Sequence, residues 1–233
     1  MIIRVILVGS EGAYNLGVIA RTCMNFGVEE LYLVKPRVEL KEALNYAARA
    51  VEYLARAIVV EDLEDALQGV DLSISTSDEG FSRGDVLRQA VTPDKLQGLL
   101  TSRRVNRLGV VFGRESTGLT REEIARTDFL LTIPASPNYP ALNVAQAVAI
   151  VLWELWKIKG REASNIPPLA SREKLDKIVS VLGDLTDLAV TPEDKRRRVK
   201  TVLKRVVYRS GLSELEARVV LYVLMRLKRR LMS

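Results

Sequence analysis

Across the first 160 residues, short apolar runs alternate with stretches whose apolar residues recur at helical spacing. The runs Ile2–Val8, Glu30–Val34, Ala57–Val60, Leu72–Ser75, Arg107–Phe112 and Phe129–Ile133 predict strands. Helices are predicted at Leu16–Phe26, Leu40–Leu54, Leu63–Gln68, Thr92–Leu100, Thr120–Ala125 and Asn143–Ile158. Strands and helices alternating at this spacing imply βαβ units and a mainly parallel sheet, an α/β fold. The pattern then stops. Residues 161–170 hold the pair Pro167 and Pro168 among polar neighbours and read as a linker between a domain at 1–160 and a small all-α module at 171–233. In the module, Thr191 is expected to cap a helix with Pro192 at its first position. Val199, Val202, Leu203, Val206 and Val207 fall on one face of that helix. Gly211 ends it, and Ser213 with Glu216 forms a capping box for the next.

Three corners within 1–160 carry polar residues where a strand breaks into a helix. After the first strand, Asn15 stands near a helix mouth, and Gly17, Arg21 and Asn25 recur every four residues on one face of that helix. The glycines at 9, 12 and 17 do not have dinucleotide-binding spacing. In isolation Arg21 reads as a salt-bridged surface arginine; two further corners converging on one cleft argue that it belongs to a site. The fifth strand ends at Phe112, turns at Gly113 and presents Arg114 and Glu115. A carboxylate directly after a buried strand needs partners, because burial without them is costly. Thr120 and Glu123 read as ordinary helix-capping chemistry. In the third corner, Pro134, Pro137 and Pro140 hold a loop open before Leu142 and Asn143 begin a long apolar helix, which Asn143 can also cap. Open α/β sheets bind ligands at such carboxyl-terminal strand ends.

Composition narrows the chemistry. The 233 residues contain no histidine and a single cysteine, Cys23. A histidine general base, a Ser-His-Asp triad, a His-ligated zinc and a cysteine metal cluster are therefore excluded, and no metal is expected. No apolar stretch is long enough to span a membrane, and the first strand lacks the basic leader and cleavage site of a signal peptide, so a cytoplasmic location is expected. Residues 1–160 carry 18 Lys and Arg against 20 Asp and Glu, whereas residues 161–233 carry 17 against 9. The whole positive excess lies in the C-terminal segment, which favours an anionic partner, nucleic acid ahead of membrane. Its densest stretch holds Lys195, Arg196, Arg197, Arg198, Lys200, Lys204, Arg205 and Arg209. A helix with such a run either shows a solvated basic face while it docks on the core, or also grips nucleic-acid backbone.

The three corners resemble the motifs of the SPOUT RNA 2′-O-methyltransferases. The residues that carry the likeness are Asn15, Gly17 and Arg21, then Phe112, Gly113, Arg114, Glu115, Gly118 and Leu119, then Ile133, Pro134, Tyr139, Pro140, Leu142 and Asn143. Within these enzymes the chain is most similar to the TrmJ branch, which modifies the ribose of tRNA nucleotide 32 in the anticodon loop, as cytidine or uridine. Tyr208–Ala217 resembles that branch's C-terminal extension. The resemblance implies a trefoil knot, S-adenosyl-L-methionine held near Thr76, Phe112, Gly113, Ile133 and Leu142, and a homodimer with a shared active site. It also implies catalytic roles for Arg21, Asn15, Glu115 and Asn143. RNA contacts are expected from Arg114, Lys195, Arg196, Arg197, Arg198, Lys204 and Arg205. Ala141 stands where the family often has serine, so any role of that hydroxyl passes to backbone, Ser136 or Tyr139. The alternatives are ribosomal RNA as substrate, a non-catalytic RNA-binding protein that kept the fold, or a nucleotide-binding regulator using the first loop.

Overall fold

The computed structural model describes residues 1–101, 105–160 and 167–232. They form two compact units, Met1–Arg161 and Glu162–Ser233. The first is built on six strands: β1 (Ile2–Val8), β2 (Glu30–Val34), β3 (Ile58–Val60), β4 (Leu72–Thr76), β5 (Arg107–Phe112) and β6 (Phe129–Leu131). Their order across the sheet is β3-β2-β1-β5-β4-β6, and every neighbouring pair is parallel.

A parallel sheet must be covered on both faces, and β1 shows how the sequence provides for this. Alternate residues Ile3, Val5 and Leu7 enter one apolar cluster, whereas Ile6 and Val8 enter the other. The first cluster is closed by α1 (Ala13–Asn25) and by α7 (Val144–Ile158), whose Val148, Val151, Leu152 and Leu155 form its inner stripe. The second is closed by α4 (Leu63–Leu67) and α6 (Arg121–Ala125). Between β4 and β5 runs α5 (Leu96–Thr101), entered through a 3-10 turn at Pro93–Lys95.

The predicted helix Leu40–Leu54 is not continuous. It is α2 (Leu40–Leu44), a 3-10 turn at Ala48–Ala50 and α3 (Val51–Ala55). Ala48 takes φ +47°, which no α-helix contains. The intervening turn lies on α1, where a Cβ on Gly17 would come within 2.6 Å of Tyr46 Cβ. A tertiary contact has overridden helical propensity here.

The second unit holds α8 (Arg172–Ala189), α9 (Glu193–Arg209) and α10 (Glu214–Met232) around Ile178, Val207 and Ala217. Of the linker expected at 161–170, residues 161–166 lie outside the described residues. Thr191 is not the cap of α9. Pro192 occupies that position with an extended ψ of 127°, and the carbonyls of Val190 and Thr191 are taken by the Arg196 guanidinium. The capping box of Ser213 and Glu216 is present, and Gly211 sits past α9 at φ +61°. The apolar face of α9 is only partly covered: Val207 is buried, but Val202 is 52% and Val206 58% exposed.

One buried charge lies inside β1. Arg4 is 4% exposed, pairs with Glu30 at 2.5 Å, donates to the Ala66 and Gln68 carbonyls, and lies over the Tyr32 ring. It thereby ties β1 to the end of α4. Replacing one member of a buried, hydrogen-bonded pair strands the others, so Arg4→Ala should destabilise the protein by about 3–5 kcal/mol. Chemical denaturation checks this; a loss below about 1 kcal/mol would show that water replaces the guanidinium.

Candidate active site

The topology fixes where a site can form. From β1 the chain winds outward through β2 to β3, then crosses to the other side of the sheet at β4 and β5. β1 and β5 are thus neighbours whose following loops diverge, the switch point at which open parallel sheets leave a crevice. The loops Gly9–Gly12 and Gly113–Ser116 lie at that crevice.

Glu115 joins them. Its Oε2 accepts from Glu11 N at 2.9 Å, and its Oε1 accepts from Gly12 N at 3.1 Å and from Asn15 Nδ2 at 3.2 Å. A carboxylate only accepts, so Asn15 must offer its amide nitrogen and is left with Oδ1 facing away. That oxygen accepts from Asn143 Nδ2 at 3.1 Å, and Asn143 Oδ1 accepts from Ala145 N at 2.9 Å as the cap of α7. Each bond fixes the orientation of the next amide. Asn143 is therefore both a helix cap and a member of the polar array. The loops are tied a second time in the opposite sense: Ser116 N and Oγ both donate to Glu11 at 3.0 Å, and Arg37 donates to Glu11 at 2.6 Å. The Ser116 hydrogen bonds, and then Arg37, hold the Glu11 carboxyl below its ordinary pKa. This clasp is complete at neutral pH and opens only as pH falls through that lowered value.

Beside the array lies a cleft of about 380 Å³. Thr76, Phe112, Gly113, Ile133 and Leu142 all line it, together with Arg114 and Glu115. Gly113 admits no side chain, since a Cβ there would lie 2.2 Å from the Gly118 carbonyl carbon. The loop therefore folds back on itself, closed by reciprocal backbone bonds between Arg114 and Gly118. Thr76 Oγ1 is satisfied by the Val111 carbonyl at 3.0 Å, which fixes the end of β4 against β5.

Glu115, Asn15 and Asn143 are thus joined in one hydrogen-bonded chain with Asn15 at its centre. Arg21 is not joined to them. It stands exposed on α1, outside the residues lining the cleft, and among the described residues it makes no hydrogen bond or ion pair. The salt bridge that Arg21 in isolation suggests is thus not found among the described residues. Arg114, in contrast, is engaged: its guanidinium meets Glu123 through two bonds of 2.9 and 3.0 Å, while Glu123 also closes the Thr120 capping box. A guanidinium fork held this way has few donors left for phosphate. Arg196 is similarly occupied by Val190 and Thr191, and Lys200 by Asp187 at 2.6 Å. Lys195, Arg197, Arg198, Lys204 and Arg205 are exposed, and among the described residues their side chains make no ion pair. Neither Ser136 nor Tyr139 lines the cleft, although Ala141 does.

Sequence patterning missed Arg88, which lines the cleft from the long segment after β4 and donates to Ser77 Oγ and the Glu79 carbonyl. It also missed the Glu11 clasp. Both belong to irregular loops, where no periodicity marks a side chain's direction. Among the described residues no group of His, Cys, Asp or Glu is placed to hold a metal ion, and no helix is long and apolar enough to cross a membrane.

Replacing Glu115 with alanine strands three donors at once. Glu115→Ala should cost about 2 kcal/mol, visible as a lowered melting temperature; an unchanged melt would show that the carboxylate does not hold the two loops together.

The SpoU rRNA Methylase family matches the chain over residues 2–153. The tRNA (cytidine-2′-O-)-methyltransferase TrmJ of Sulfolobus acidocaldarius is 40% identical over 232 residues, 99% of this chain and 95% of the relative. Its counterpart from Methanocaldococcus jannaschii is 34% identical over 93% of this chain and 96% of its own length. The crystal structure of TrmJ from Z. mobilis ZM4 superposes with a TM-score of 0.64 and 26% identity, covering 98% of this chain and 100% of that one. With the switch-point crevice and its three motif corners in place, these likenesses show that the chain belongs to the SpoU methylase family.

Proposed function

We propose that the protein transfers a methyl group from S-adenosyl-L-methionine to a ribose 2′-hydroxyl of tRNA, at nucleotide 32 of the anticodon loop, on cytidine or uridine. The observation that carries the reading is the continuous array of Glu115, Asn15 and Asn143 at the edge of a cleft walled by Phe112, Ile133 and Leu142. The near full-length likeness to tRNA ribose methyltransferases supports tRNA over ribosomal RNA.

The cleft suits the cofactor by its chemistry. Phe112, Ile133 and Leu142 offer apolar surface for an adenine ring. Asp78, Glu79 and Arg88 at the lining offer both signs of charge for a zwitterionic amino-acid end. When bound, the cofactor supplies an electrophilic methyl on a sulfonium, whose charge is neutralised as the methyl leaves. Arg21 stays protonated and is no base. Its free guanidinium donates to the ribose 2′-oxygen and an adjacent phosphate, positions the nucleophile and stabilises charge developing on that oxygen, while the hydroxyl proton leaves to water. Glu115 already accepts three hydrogen bonds and works as the anchor that orients Asn15. Much of the acceleration then comes from alignment.

Arg21 stands outside the cleft of its own chain, which supports a site completed across a homodimer. Met24, Ile150 and Trp153, exposed on the packed pair α1 and α7, are suited to face a second copy. The knot implied by the family would carry α7 through a loop, and a cytoplasmic enzyme accords with the tRNA substrate. The second unit supplies the electrostatic grip, through those cations of α9 that make no ion pair among the described residues.

Incubating bulk tRNA with labelled cofactor and mapping ribose methylation tests the assignment; methylation confined to ribosomal RNA, or none, overturns it. Arg21→Ala and Arg21→Lys are both expected to lose at least a hundredfold in rate, since a point charge cannot reproduce the planar fork, while calorimetry still shows cofactor binding. Near-normal turnover by the lysine variant would show that charge alone suffices.

Changing Arg197, Arg198, Lys204 and Arg205 together to glutamine in the full chain should weaken tRNA binding. It should also flatten the log–log salt slope by about 0.7–0.9 for each phosphate that is no longer neutralised. An unchanged slope would make the basic face a solvated surface only.

A further inference from the structure

Next to Asn15 in the chain, Tyr14 projects from the first turn of α1 into solvent. It is 63% exposed, and its ring meets that of Tyr46, itself 46% exposed, at 5.6 Å between centroids and 77° between planes. Edge-to-face contact leaves at least one π-face of each ring outside the pair. Neither ring belongs to an apolar cluster of the fold.

The pairing is built into the backbone. Tyr46 reaches Tyr14 because the turn after α2 presses on Gly17; a methyl at that position would lie 2.6 Å from Tyr46 Cβ, 2.7 Å from its carbonyl carbon and 2.8 Å from the Ala43 oxygen. The same contact interrupts the helix that propensity favours over 40–54. Tyr14 and Arg21, seven residues apart, lie on one face of α1, about 10 Å apart along its axis. Arg21 is exposed and, among the described residues, unpaired. Two aromatic rings with open faces and, two turns away on the same helix face, a guanidinium with no partner among the described residues fit one ligand chemistry: an unpaired nucleobase with its flanking phosphate.

We propose that Tyr14 and Tyr46 form a stacking platform for an unpaired nucleobase next to the nucleotide that is methylated. The inference rests on the tRNA methylation reading and adds a recognition element to it. A base inside a duplex has both faces covered by its neighbours, so the platform favours a loop over a stem without reading base identity.

Full-length protein, labelled cofactor and an anticodon stem-loop transcript provide the test. Tyr14→Leu should raise the KM for RNA about 5- to 150-fold, leaving the KM for cofactor, the melting temperature and the oligomeric mass as in wild type. Tyr14→Phe should restore the RNA KM to within about threefold, because stacking needs the ring and not the hydroxyl. A transcript with an abasic site beside the target should raise the wild-type KM by a similar factor and add nothing to the Tyr14→Leu defect, a coupling that a structural role would not produce. An unchanged KM in Tyr14→Leu, full additivity of the two lesions, or a change in oligomeric mass showing that a second copy covers the tyrosines would each overturn the platform. If wild type methylates no tRNA, the functional reading itself has failed and the platform falls with it.

Discussion

The carboxylate of Glu115 sits where two loops leave adjacent parallel strands in different directions, and the rest of the site is arranged around it. Strands β1 and β5 are held together by backbone bonds along their length, but that pairing ends at Leu7 and Phe112. Beyond it the N–H groups of Glu11, Gly12 and Ser116 find no partner in a ladder and are met by side chains. Glu115 accepts from Glu11 N and Gly12 N, and Glu11 answers by accepting from Ser116 N. Acidic side chains thus continue, for a few residues, the cross-strand bonding that the backbone no longer provides. Unsatisfied donors at a partly buried crevice would otherwise oppose folding.

That arrangement separates holding from reacting. Because a carboxylate cannot donate, the direction of every amide from Asn15 to Asn143 is set from one end, and the far end is pinned by the first turn of α7. The orientation of the array is thus set by the chain's own hydrogen bonds. Arg21 is the opposite case, a long charged side chain with no partner among the described residues. Arg114, next to the key carboxylate in sequence, is committed to Glu123 and to the loop's shape. Adjacent residues of one motif therefore do unlike work.

The two units divide charge as well as structure. The sheet unit places apolar area and a fixed polar array at one crevice, whereas the helical unit concentrates on α9 cations that make no ion pair among the described residues. Even there the charges are not equivalent: Arg196 and Lys200 serve the α8–α9 connection, and their neighbours remain exposed. Charge counts along the chain weigh all of these alike; only partner geometry tells them apart.

The sequence by itself determined the class of fold, because short apolar runs such as Ile2–Val8, alternating with stretches of helical spacing, can be covered on both faces only in a layered, mainly parallel sheet. It also determined the three corners, since glycine and proline mark where a strand must turn whatever packs around it. It excluded histidine chemistry outright. What only tertiary structure decided were contacts between residues far apart in the chain: which donors Glu115 satisfies, that Arg114 is occupied while Arg21 has no partner among the described residues, and that Gly17 brings Tyr46 against Tyr14. The interruption of the helix after Leu44 belongs to the same group. Local periodicity reports only which face of an element is apolar. The partner of a polar side chain is set by topology, here by β1 and β5 lying side by side although about a hundred residues separate them.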